Sequence, residues 1–203
     1  MRNGRRHLGW ILLFPPALVV SGCGHQDEAS ALGNRLEGAG VTEVDVDYHR
    51  KGFETSESAI FDARLAPDVT PAQICAVVER FAAHVDDLEV RPVDVTLNVY
   101  QPDLHPDPQR WSVTTSARKV PSPAEAARRC LEPLQTLGGA DGVVHTGLDL
   151  DWSGRAPADT VSLDFSDGTT PATARRSIAR AAGDPSKYLI SVKIGREKEF
   201  WFR

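Results

Sequence analysis

The chain has 203 residues, with 28 acidic against 23 basic side chains and a formal net charge of −5. That balance argues against a nucleic-acid partner or binding to an anionic lipid surface through charge, since both select for cations. The length allows one domain or two small ones, with 41% hydrophobic residues available for a core.

In chain order, residues 1–22 have the three parts of a signal peptide. Arg2, Arg5 and Arg6 form a positive start, Leu8 to Val20 an apolar run broken by Pro15-Pro16, and Ser21-Gly22 the small residues of a cleavage site. The apolar run is shorter than the roughly 20 residues of a membrane span. Val20-Ser21-Gly22-Cys23 resembles the lipobox of bacterial lipoproteins, an aliphatic residue and two small ones before a cysteine. The resemblance covers the leader alone. It implies a diacylglycerol group on Cys23, cleavage just before it, and an acylated, palmitate-type anchor on the extracytoplasmic side of the cell membrane. Two acyl chains hold a protein stably where one is marginal. Losing Arg2, Arg5 and Arg6 takes the mature net charge from −5 to −8. Arg is far commoner than Lys and Ala is plentiful, a bias of GC-rich genomes that hints at an actinobacterial source.

Residues 23–27 then read as a lipidated tether and 28–203 as an α+β domain. An amphipathic segment, Glu28 to Leu36, ends at Gly38. Strands with period-2 alternation follow at Val41–Tyr48 and Ala59–Leu65. Pro71 to Val85 has Ile74, Val77, Val78, Phe81 and Val85 on one helical stripe. Val93–Tyr100 and Trp111–Arg118 read as strands. Ala124 to Leu137 reads as a helix that Pro133 should kink or shorten. Val143–Trp152 and Thr160–Phe165 are strands, Ala172–Ala182 a helix, and Lys187–Arg203 a hairpin turning near Gly195-Arg196.

Three helix starts share one design: Thr70-Pro71-Ala72-Gln73, Ser122-Pro123-Ala124-Glu125 and Thr170-Pro171-Ala172-Thr173. Each puts a hydroxyl at the N-cap and Pro at the first helical position. Gln73 and Glu125 would complete capping boxes. The domain thus reads as about four tandem α-β-β units, with possible halves 28–119 and 120–203. Such units predict an antiparallel sheet, or sheets, with helices packed on one face, related to the ferredoxin-like α/β plait. One extended sheet and two plaits both remain open. The outer sheet face would carry Glu43, Asp45, Asp47, Asp94, Thr96, Asn98 and Asp164.

With Cys23 lipidated, Cys75 and Cys130 remain, and an isolated pair in an oxidising compartment most simply forms a disulfide. They lie five and eight residues after their helix caps, which puts both on nearly the same face of equivalent helices.

Motifs for chemistry are sparse. His7 is in the leader and His25 in the tether; His49, His84, His105 and His145 are widely separated, with no metal-ligand spacing. His84 suits a helix C-terminus. Asp149-Leu-Asp151-Trp-Ser153-Gly154 matches the first half of a calcium loop, but its twelfth position is Thr160. An Asp-rich turn after a strand explains the same letters. Arg128-Arg129 and Arg175-Arg176 would form a basic stripe or, more simply, solvated helix faces. Phe200-Trp201-Phe202 would pin the last strand to the core, with Trp201 facing the other way. No nucleophile elbow or phosphate loop occurs, and no cofactor, metal or catalytic residue is assigned. The reading is a non-enzymatic module that binds a protein or small molecule or supports the envelope. A cell-envelope hydrolase with dispersed His and Asp residues is the alternative.

Overall fold

The computed structural model describes residues 25–50, 57–88, 94–101, 111–116, 120–152, 159–184, 187–195 and 198–202. Its elements are α1 (Gln26–Leu36), β1 (Val41–Arg50), β2 (Glu57–Leu65), α2 (Pro71–His84), β3 (Asp94–Tyr100), β4 (Trp111–Ser116), α3 (Pro123–Thr136), β5 (Val143–Asp151), β6 (Thr160–Phe165), α4 (Pro171–Ala182), β7 (Leu189–Ile194) and β8 (Lys198–Phe202). These are four α-β-β units in an α+β fold, as the caps and alternation predict. The first helix starts at Gln26, so Gln26 and Asp27 belong to α1 rather than to a tether.

The eight strands form one sheet in chain order. The strands pair antiparallel within each unit and parallel between units, so the expected antiparallel sheet is mixed. The cause is the helix: it carries the chain back along the sheet, so the next strand starts at the same end as the last and runs parallel to it. Because each such strand pairs with its immediate predecessor, the interleaved strand order of a plait does not arise. Pairing of Trp111–Ser116 with Thr146–Asp151 joins the halves into a single sheet.

The helices cover one sheet face. Ala59, Phe61, Ala63 and Leu65 of β2, Val95, Leu97 and Val99 of β3, and Val161, Leu163 and Phe165 of β6 point into this core. Phe81 of α2 bridges the two halves, its ring 5.8 Å from Phe61 and 6.1 Å from Trp152. Helix α2 begins with a complete capping box: the Gln73 amide donates to Thr70 Oγ1, and the Thr70 amide donates to Gln73 Oε1 at 2.9 Å. Ser122 also caps its helix, accepting from the Glu125 amide. Glu125 does not close the box, because Arg128 holds its carboxylate at 2.7 and 3.0 Å. A guanidinium offers a charge-assisted pair that a lone amide does not match. Helix α3 runs through Pro133 to Thr136. The proline lies in the final turn, so the predicted break amounts to no shortening beyond one residue.

Cys75 of α2 and Cys130 of α3 are disulfide-bonded, with Cα atoms 5.6 Å apart. This bond crosses from the first half of the domain to the second.

The two halves also share their turns. Gly40 and Gly142, with φ of +87° and +85°, occupy equivalent positions before β1 and β5. Each sits in a left-handed conformation that suits glycine alone at little cost. The Gly40 carbonyl accepts from the Ala66 amide, and the Gly142 carbonyl from that of Ser166. Both strands then take an irregular step, at Val41/Glu43 and at Val143/His145.

Candidate functional site

Among the described residues no element covers the sheet face opposite the helices, and strand alternation gives it mostly polar side chains. Register places them in rows across the strands. One row runs Glu43, Arg64, Tyr100, Ser112, Gly147, Ser162 and Ser191. The next runs Asp45, Asp62, Asn98, Thr114, Asp149 and Thr160. This is the expected outer face, with Glu43, Asp45, Asp47, Thr96, Asn98 and Asp164 on it; the Asp94 side chain lies outside the described residues.

The β1–β3 side is acidic and cross-linked. Arg64 reaches Glu43 at 2.5 Å and Asp45 at 3.2 Å, and its Nε donates to the Tyr100 hydroxyl at 3.1 Å. These partners raise the Arg64 guanidinium above its usual value, the Tyr100 hydrogen bond contributing most. Asn98 Nδ2 donates to Asp62 Oδ1 at 2.8 Å, and His49 Nε2 meets Asp47 at 2.9 Å.

Three side chains come together on β4, β5 and β6. Ser112 Oγ lies 3.2 Å from His145 Nε2, and His145 Nδ1 lies 3.4 Å from Asp164 Oδ2. The imidazole is 21% exposed. Gly147 lies beside this pair: a Cβ there would stand 3.2 Å from Ser112 Oγ, a tight contact, and 3.5 Å from His145 Cε1, an ordinary one. The His145 hydrogen bond holds the Asp164 carboxyl below its ordinary range, against the opposing effect of burial, and Lys193 adds in the same direction. Asp149 moves the other way, raised by partial burial and by Asp151 and Asp159.

Other predicted positions have separate surroundings. His84 ends α2 and meets Asp87 at 3.2 Å and Arg35 at 3.3 Å; Arg35 also pairs with Asp87. His25 pairs with Glu28 at 3.1 Å. Arg128 is an exposed helix-face residue bound to Glu125 and Glu132. Arg129 differs: it grips both carboxylate oxygens of Asp159, which is 11% exposed, and donates to the Asp151 carbonyl. No basic stripe is left on α3.

Asp149 and Asp151 lie within β5, while Ser153 and Gly154 are outside the described residues. Among the described residues, no three His, Cys, Asp or Glu side chains stand together as metal ligands. Cys23, His105 and the side chains of Phe200, Trp201 and Phe202 also lie outside them. The backbone register sets Phe202, Trp201 and Phe200 opposite Ile190, Ser191 and Val192. Among the described residues no helix is long and apolar enough to cross a membrane.

Sequence reasoning singled out His145 and put Asp164 on the outer face, but it missed Ser112. The available signal was weak: all three are polar residues at outer positions of consecutive strands. Only the register shows that they touch. No family model matches this chain, and neither a curated protein nor a solved structure matches it.

Proposed function

We propose that the protein is a membrane-tethered extracytoplasmic lipoprotein whose outer sheet face binds a cationic partner. The anchor rests on the leader and on Val20-Ser21-Gly22-Cys23. The observation that carries the binding reading is the charge on the sheet face opposite the helices, which no described element covers. Its described residues include Glu43, Asp45, Asp47, Asp62, Asp149, Asp151 and Asp164, against Arg64 and Lys193 as the constant cations. Such a face is repelled by an anionic bilayer and turns outward from it, where it attracts positive charge. With α1 beginning at Gln26, few residues separate the domain from Cys23, so the protein works close to the membrane surface.

Crosslinking from the native membrane, followed by mass spectrometry, tests the binding reading. Crosslinks should map to β1–β3 and disappear when Glu43, Asp45 and Asp47 are all changed to Lys. Crosslinks confined to the helix layer, or indifferent to that reversal, would refute it. The anchor is tested separately: Cys23→Ala should abolish acyl labelling and detergent partitioning.

A further inference from the structure

We propose that Ser112, His145 and Asp164 form an ester-hydrolysing site on the outer sheet face, with Ser112 as the nucleophile. The inference stands apart from the binding reading, since neither the anchor nor a cationic partner enters it.

An acyl-transferring serine needs a base at its hydroxyl and a group that orients that base. Here Nε2 of His145 faces Ser112 Oγ at 3.2 Å, while Nδ1 faces Asp164 at 3.4 Å. A carboxylate only accepts hydrogen bonds, so Asp164 favours the tautomer with the proton on Nδ1. That leaves the Nε2 lone pair toward the serine, as general-base catalysis requires. Ser112 is half-buried and reaches solvent. The floor beside it is low, because Gly147 and Ser162 follow it in the same row.

The step balances with water alone. Oγ bonds to the ester carbonyl carbon as its proton passes to Nε2. The tetrahedral adduct expels the alkoxide, which takes that proton and leaves as the alcohol. Water then attacks the acyl-serine, giving up a proton through Nε2, and the carboxylic acid departs with Ser112 restored.

Stabilisation of the developing oxyanion limits the substrate class. Backbone amides of β4 are engaged in pairing on both sides, so the ladder offers no ready oxyanion hole. Tyr100 stands opposite Ser112 in the β3–β4 register, and its oxygen accepts from Arg64 Nε at 3.1 Å. That contact turns the phenol toward β2, on the far side of β3 from Ser112, so Tyr100 is not aimed at the serine. A site with so little oxyanion support suits esters rather than amides, whose poorer leaving group demands more.

The test uses the full chain in detergent, with a fluorophosphonate probe and p-nitrophenyl acetate. Phosphonylation should fall on the Ser112 peptide of the wild-type chain and vanish in His145→Gln. Ester turnover should drop at least about 100-fold in Ser112→Ala. Asp164 is a positioning residue, so Asp164→Asn should lower kcat with little change in KM. Absence of label on wild-type Ser112, or full turnover in a folded Ser112→Ala, overturns the proposal. The labelling is read on the native chain and needs no variant to fold.

Discussion

The two halves of the sheet share a scaffold but differ in what they display. Gly40 and Gly142, Thr70 and Thr170, and the irregular steps after Val41 and Val143 occupy matching places. On the face opposite the helices they diverge: β1–β3 of the first half carry paired charges around Arg64, whereas His145, Gly147, Ser162 and Asp164 of the second meet Ser112 of β4 across the seam between the halves. Turns and caps answer to backbone conformation, which both halves must satisfy alike. Outward side chains answer to solvent or a ligand, and packing places few demands on them. A duplicated frame can thus hold a charged cluster in one half and a geometry for proton transfer at the seam between the two.

That equivalence can be broken most strongly at the disulfide, because it joins the halves. Replacing Cys75 or Cys130 with Ser should cost about 4 kcal/mol on the chain-entropy model for a loop of this size. Thermal melting checks this, and two free thiols in the wild-type protein would contradict it.

Next come the paired glycines. Gly40→Ala and Gly142→Ala should each cost about 1–2 kcal/mol from positive φ alone. Gly40→Ala should cost more, since its Cβ would meet Val69 Cγ2 at 3.0 Å, against 3.4 Å to Phe165 at Gly142. Equal urea midpoints would show that only backbone conformation matters at these sites.

The helix caps give a smaller contrast. Thr70→Ala and Thr170→Ala should each lose about 1 kcal/mol. The contrast lies at the third helical position: Gln73→Ala should lose more than Thr173→Ala, because Gln73 also closes a box on the Thr70 backbone amide while Thr173 offers only its hydroxyl. Chemical denaturation of the two variants side by side measures the difference.

The smallest effect is electrostatic and belongs to the second half alone. The folded-state pKa of Asp164 is depressed, so its contribution is present above the ordinary carboxylate value of 3.8 and is lost as pH falls through the folded value. The stability gap between wild type and Asp164→Asn should therefore shrink between pH 7 and pH 3. A gap that holds constant would mean the His145 contact does not stabilise the carboxylate.

Much of the fold was legible because its signals are local. Thr160–Phe165 alternates cleanly and is a strand to the residue. The hydroxyl-Pro starts of α2, α3 and α4 mark their helices to within a residue. Cys75 and Cys130 could be paired because cap offsets put them on matching faces. The site was not legible in this way. Ser112 and His145 are separated by 33 residues, and nothing near either one in the chain distinguishes it from a solvated strand residue. Glu125 shows the same limit on a smaller scale: its motif predicted a box, but Arg128 one turn on took its carboxylate.

By itself, the sequence determined the α-β-β units, the caps, the inward and outward sides of each strand, and the cysteine pair. These depend on period, backbone preference and spacing, all of which act over a few residues. Tertiary structure decided the rest: a single mixed sheet rather than two plaits, and a register that sets Ser112 beside Gly147 and His145 beside Asp164. Register is a relation between strands distant in the chain. A slip of one residue would turn every side chain to the other face, and only packing of the buried face against the helices selects the observed alignment.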